Sequence, residues 1–123
     1  MLSRFDVIGR AKLLGCEISK NQLITSDGYT LTLHHLHSKR LLNHSESRFP
    51  VLLVSGLLCD ANIFFIPPPN RCLPYILSSL GYDVWIGNVR GTYYSGYKEQ
   101  IVKKSKSHFW DFWFGFTDLV SMI

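Results

Sequence analysis

The sequence predicts an α/β fold with a mostly parallel sheet, on three observations. A continuous apolar run, Val51-Leu52-Leu53-Val54, is followed by a helix-competent stretch and then by a second β-prone run, Tyr82-Asp83-Val84-Trp85-Ile86. Strand, helix and strand in that order read as a βαβ unit, because parallel neighbours need a crossover that carries the chain back to the same end of the sheet. Ahead of it, Asp27-Gly28 stands between two β-prone runs, which is a strong hairpin signal. With 46% hydrophobic against 18% charged residues, the 123 residues can bury the core of a single domain.

The elements follow in chain order. Residues 4–14 place Phe5, Ile8, Ala11 or Lys12, and Leu14 at near-helical spacing, and Gly15 can end that helix. In the hairpin, Gln22 to Thr25 forms the first arm, and Tyr29, Leu31 and Leu33 alternate with Thr30, Thr32 and His34 in the second, so one face is expected to be buried. Residues 37–50 are polar and read as a surface loop. Four of the five histidines (His34, His35, His37, His44) fall in or near it, mostly on an exposed strand face. No second carboxylate or cysteine cluster accompanies them, so no metal site and no cofactor is expected.

The run 51–54 has the character of a strand buried on both faces. After Pro67-Pro68-Pro69, residues 70–80 are expected to be helical, with Asn70 as N-cap, Pro74 in the first turn and Gly81 as the stop. The stretch that follows Ile86 is rich in glycine and carries Lys98, Lys103, Lys104 and Lys106, as a solvated loop would. Residues 109–123 are almost wholly apolar and aromatic, apart from a narrow stripe of Asp111, Gly115 and Asp118 at helical spacing. Trp85, Trp110 and Trp113 read as packing residues, and the 109–116 cluster is also a candidate for insertion at a membrane interface.

A net charge of +4 is mild for a nucleic-acid binder, and no nucleic-acid motif is present, so no nucleic-acid partner is expected. Cys16, Cys59 and Cys72 suit either one bridge and a free thiol or three thiols, and show no zinc spacing. Arg4, Asp6, Arg10 and Lys12 interrupt the apolar run that a secretory signal would need, and no apolar stretch approaches the roughly 18 residues of a membrane span.

Two stretches carry a family likeness: residues 24–34, Ile-Thr-Ser-Asp-Gly-Tyr-Thr-Leu-Thr-Leu-His, and residues 81–91, Gly-Tyr-Asp-Val-Trp-Ile-Gly-Asn-Val-Arg-Gly, with Tyr94-Ser95 and Phe109-Trp110-Asp111-Phe112 behind them. In this order and spacing the chain resembles the acid lipases, the group that includes lysosomal acid lipase and gastric lipase. The resemblance implies a partial α/β-hydrolase fold over residues 1–123 and, for the family, hydrolysis of triglycerides or sterol esters by a Ser-His-Asp triad. It also implies a lipid ester substrate, contact with a membrane or lipid-droplet surface, and a lysosomal or secreted location.

Serine attack in this fold needs a G-x-S-x-G turn, a base and oxyanion donors. No serine here has glycine both two residues before and two residues after it: Ser26 and Ser79 have only the later one, and Ser95 has neither. By the Ser-Asp-His order of the fold, the triad belongs beyond residue 123, and the chain is expected to stop before the nucleophile elbow and to be inactive alone. Asp83, Asp111 and Asp118 each precede the place of the family's acid. One catalytic element remains. The family loop His-Gly-Leu-Leu corresponds to Ser55-Gly56-Leu57-Leu58, which makes the backbone N–H of Leu57 the candidate oxyanion donor. Asn88 and Arg90 are expected to tie the loop after the second β-prone run to neighbouring carbonyls or to an acid such as Asp83. Ser55 in place of histidine supports the alternative of a non-catalytic lipase-like protein that binds lipid, a membrane or a full-length lipase. With no strand to carry the nucleophile, the isolated chain is expected to be marginally stable.

Overall fold

The computed structural model of the chain describes residues 6–26, 28–38, 48–56 and 58–95. Leu57, His44, the lysine-rich stretch and the aromatic segment 109–123, with Trp110, Trp113, Asp111 and Asp118, lie outside the described residues.

Helix α1 (Val7–Leu13) buries Val7 and Ala11, one turn apart, with Leu14 packed beside them. Of the expected apolar positions, Ala11 is buried and Ile8 half-buried, Val7 joins them, and Phe5 lies outside the described residues. The chain leaves α1 through Gly15, whose φ of 75° lets its N–H reach the Lys12 carbonyl at 2.9 Å. Strand β1 (Cys16–Ile24) is longer than the sequence suggests. Its middle, Ser19-Lys20-Asn21, is polar because β1 is an edge strand of the described sheet. Strand β2 (Thr30–Ser38) pairs with it antiparallel across the expected hairpin, closed by Thr25, whose backbone N–H donates to the Tyr29 carbonyl at 2.8 Å.

Strand β3 (Pro50–Val54), helix α2 (Leu73–Ser79) and strand β4 (Asp83–Asn88) form the expected βαβ unit, β3 and β4 being parallel. Between β3 and α2 lie two short 3-10 helices, Ala61–Phe65 and Pro69–Arg71. Asn70 falls in the second of them, and Cys72 is the N-cap of α2. Pro74 explains the shift: it lacks an N–H and is tolerated only in the first turn, so the helix cannot begin as early as Asn70. Past α2, the Gly81 N–H bonds to the Ser78 carbonyl and the Tyr82 N–H to the Leu77 carbonyl, both at 3.1 Å, which is a Schellman ending with Gly81 at φ 95°.

The four described strands are ordered β1-β2-β4-β3, and the sheet is mixed: parallel in the βαβ unit, antiparallel where the hairpin joins it through β2 and β4. One face of this sheet carries the core. Cys16, Leu36, Val84 and Ile86 pack there with Val7 and Ala11 of α1, Ala61 and Phe65 of the first 3-10 helix, and Cys72 at the head of α2. Cross-strand register places Thr32 opposite Asn88, His34 opposite Ile86 and Leu36 opposite Val84, all on this face. The buried face of β2 is thus the one with Thr32 and His34, contrary to the expectation that His34 is exposed. Tyr29 and Leu31 on the other face are buried as well.

No described element covers most of the second face. Leu33, Leu52 and Val54 converge there over Gly87, with Leu52 still 42% exposed and Val54 38%. Strand β3 is therefore an edge strand among the described residues and is not buried on both faces. All three cysteines are free thiols, and burial pushes those of Cys16 and Cys72 up, Cys72 adding to the effect on Cys16.

Ile86 has no exposed surface, so Ile86→Ala should cost about 2–5 kcal/mol and abolish a cooperative urea transition if the chain is only marginally stable. Gly81→Ala meets no neighbouring atom and should cost about 1–2 kcal/mol from its backbone conformation alone, read as a lowered urea midpoint.

Candidate functional site

The loop leaving β3 turns back within a few residues at the C-terminal end of a parallel strand, where α/β folds place their sites. Ser55, 8% exposed, donates its hydroxyl to the Cys59 carbonyl at 2.9 Å. The Cys59 N–H donates to the Gly56 carbonyl at 3.1 Å. Between them Leu58 stands at φ 61°, in the left-handed region that non-glycine residues rarely adopt, with its side chain 97% exposed. Asp60 then caps the first 3-10 helix by accepting from the Asn62 N–H at 2.8 Å.

The far end of the loop is tied to β4. The Ala61 N–H donates to Oδ1 of Asn88 at 2.9 Å, while Nδ2 of Asn88 donates to the Thr32 carbonyl and to Nδ1 of His34, both at 3.0 Å. Ser95 closes the same knot: its hydroxyl donates to the Asn88 carbonyl at 2.6 Å and accepts from the Thr32 N–H at 3.0 Å. The Thr32 hydroxyl donates to the Tyr94 carbonyl. The Tyr94 hydroxyl in turn donates to Oδ1 of Asp6 at 2.7 Å and accepts from the Val7 N–H and from Asn62 Nδ2. Burial, reinforced by the Asp6 carboxylate, pushes the Tyr94 pKa up to about 12.

Because Asn88 is the donor, His34 accepts at Nδ1, and its neutral ring carries the proton on Nε2. The ring is 1% exposed and meets Tyr94 edge-on at 4.8 Å. Burial, aided by Lys20, lowers the His34 pKa against the opposing pull of Asp6 and Asp60. His34 is therefore a satisfied core histidine. Its neighbours could have been found from parity along β2, because His34 lies two residues from Thr32 and two from Leu36, on one face of the strand.

Asn88 does tie its loop to backbone groups, as the sequence suggests, but Asp83 is not its partner. Asp83 faces the open side of the sheet, where Oδ1 lies 2.5 Å from Nε2 of His35 and Oδ2 accepts from Trp85 Nε1 at 2.9 Å. Burial raises the Asp83 pKa, but those two hydrogen bonds and the charges of His35 and Arg48 outweigh it and hold the carboxyl low. His35 stacks flat on Trp85 at 3.9 Å and meets His37 at 4.1 Å, and Nε2 of His37 lies 3.1 Å from the Ser19 hydroxyl. Arg90 is buried with its guanidinium 4.3 Å over the Tyr29 ring. Among the described residues no group of three or more His, Cys, Asp or Glu is placed to hold a metal ion, and no helix is long and apolar enough to cross a membrane.

A βαβ unit extended by an antiparallel hairpin, with a glycine-containing loop at the C-terminal end of its first parallel strand, defines the class as the N-terminal part of an α/β-hydrolase. Residues 8–67 match the family model described as a partial alpha/beta-hydrolase lipase region. Lipase 3 of Drosophila melanogaster is 36% identical over 81 residues, 66% of this chain and 21% of its own length. Triacylglycerol lipase 1 of Arabidopsis thaliana is 39% identical over 93 residues, 76% of this chain and 23% of its own. Lipase 1 of Drosophila melanogaster is 37% identical over 112 residues, 89% of this chain and 24% of its own. The chain belongs to the acid-lipase-type family of α/β-hydrolases and carries an N-terminal part of it. It spans about a quarter or less of the length of these relatives.

Folding lowers the His34 pKa, so the unfolded chain takes up the proton first as the pH falls. The stability linked to this histidine is fully present above about pH 6.5 and is lost as the pH drops from there toward the lower folded-state value. His37, lowered by burial and by His35, contributes in the same sense. Urea midpoints should therefore fall between pH 7.5 and 5.5, and His34→Gln, which keeps an acceptor for Asn88, should flatten most of that fall.

Proposed function

We propose that this chain is the N-terminal portion of a lipase-like carboxylic ester hydrolase acting on lipid esters, triglycerides or sterol esters, and that its loop after β3 supplies an oxyanion donor. The observation that carries the reading is the hydrogen-bonded turn of Ser55, Gly56 and Cys59 at the C-terminal end of β3. Leu57 lies outside the described residues. Its backbone N–H is the donor in this reading, because it follows the loop glycine. Backbone donation does not require the family's histidine, and Ser55 supplies a different internal bond to the loop. A donor held in advance, where charge develops on the tetrahedral intermediate, stabilises the transition state without reorganisation. The names of the matched relatives, a triacylglycerol lipase among them, support the substrate class. The Ser-Asp-His triad belongs to a longer polypeptide, and residues 1–123 alone are inactive. The same substrate class calls for contact with a membrane or lipid-droplet surface.

A second reading, a non-catalytic lipase-like binder, is favoured by Ser55 at the loop position where the family has histidine. The two separate in one experiment. A transcript read past Ile123 that meets G-x-S-x-G within a few dozen codons, with hydrolysis of a short-chain p-nitrophenyl ester by the encoded protein, supports the hydrolase. Flotation with phosphatidylcholine liposomes without turnover supports the binder. In the longer protein, Leu57→Pro removes the N–H and should lower kcat by about 100- to 1000-fold with KM nearly unchanged, whereas Leu57→Ala keeps the N–H and most of the activity.

A further inference from the structure

We infer that Ser55 and Asn88 are positioning residues that hold residues 58–61, the described part of the loop beyond Gly56, in one backbone conformation before any substrate arrives. This deepens the reading of that loop as an oxyanion loop and rests on it.

The starting point is Leu58. A left-handed backbone at a non-glycine residue persists only where the surroundings over-determine it. The Leu58 side chain is almost fully exposed and supplies no packing restraint of its own. Hydrogen bonds on either side of it hold the turn. The Cys59 N–H to Gly56 bond closes the turn, and the Ser55 hydroxyl reaches across it to the Cys59 carbonyl. These two bonds engage both polar backbone groups of Cys59, the residue on which the turn closes.

The second restraint comes from outside the loop. Asn88 has its Nδ2 committed to two acceptors, the Thr32 carbonyl on β2 and Nδ1 of His34. A rotation that exchanged the amide oxygen and nitrogen would lose the bond to the Thr32 carbonyl and the one from Ala61. The direction of Oδ1 is therefore set by the centre of the sheet, and Oδ1 accepts from Ala61, two residues past Cys59. Asn88 passes the rigidity of paired strands to a loop with no strand pairing of its own. Ser55 fixes the near end of the loop and Asn88 the far end.

The test is amide hydrogen exchange by NMR on the full 123-residue chain, with Cys59 and Ala61 as loop reporters and Val84 and Ile86 as sheet reporters. Ser55→Ala should speed exchange at Cys59 by about tenfold and leave the sheet reporters within about twofold. Ser55→Thr keeps the hydroxyl and should restore the Cys59 protection. A scalar coupling across the hydrogen bond from the Ala61 N–H to the Asn88 side-chain carbonyl should be seen in the unmodified chain. Unchanged Cys59 exchange in Ser55→Ala, failure of Ser55→Thr to restore it, or absence of the coupling overturns the inference. So does parallel loss of protection in loop and sheet, which would make Ser55 a residue of general stability. None of these readouts needs turnover. A rigid loop with no hydrolysis by the longer protein would sink the hydrolase reading alone, and a loose loop with hydrolysis would sink this one alone.

Discussion

The side-chain amide of Asn88 is buried where β2, β4 and the loop after β3 meet, and it uses both its donor and its acceptor ends there. Removing it would strand the Ala61 N–H, the Thr32 carbonyl and His34 Nδ1 in a dry environment, where each unmet partner costs about 1–3 kcal/mol. Ser95 reinforces the same point by spanning the Asn88 carbonyl and the Thr32 N–H. Tyr94, next to it, extends the connection to Asp6 and to the first turn of α1. One polar knot thus holds the hairpin, the βαβ unit and the N-terminal helix in a single arrangement. A network of this kind specifies a fold only when its members are satisfied together, which is why the neutral state of His34 matters to it.

Apolar cover is one-sided by comparison. Both helices and the first 3-10 helix lie on the face that holds Val84 and Ile86, while Leu33, Leu52 and Val54 meet over Gly87 on the other. The open face is not uniformly apolar. Toward its other end Asp83 satisfies both His35 and Trp85, so the polar groups there have partners even where no described helix covers them. A sheet built to be covered on both faces, in a chain that spans about a quarter or less of its relatives' length, leaves such a face among its described residues.

The candidate site was legible in part. Gly56, following an apolar run and within the family's loop pattern, marked where the backbone bends, and the structure places a hydrogen-bonded turn there. Ser55 read as a departure from the family pattern, and its bond to Cys59 was not foreseen, because a hydroxyl reaching four residues along the chain leaves no periodicity in a sequence. Asn88 read correctly as a structural tie to a neighbouring carbonyl, that of Thr32, but the acid offered as the alternative, Asp83, is not its partner. Asp83 is five residues from Asn88 on a strand, and the pleat turns the two to opposite faces.

The sequence by itself determined the order of elements, the hairpin, the βαβ unit and the C-terminal ends of both helices. These follow from local chemistry: glycine at positive φ past each helix, proline confined to a first turn, alternation along a strand. Only the tertiary structure decided which face of β2 is inside, that β1 runs on through a polar stretch, and that His34 is buried while His35 stacks on Trp85 in the open. Those outcomes depend on strand register and on which face the helices cover. Both are settled between segments far apart in the chain, where the pattern of any one segment is compatible with either answer.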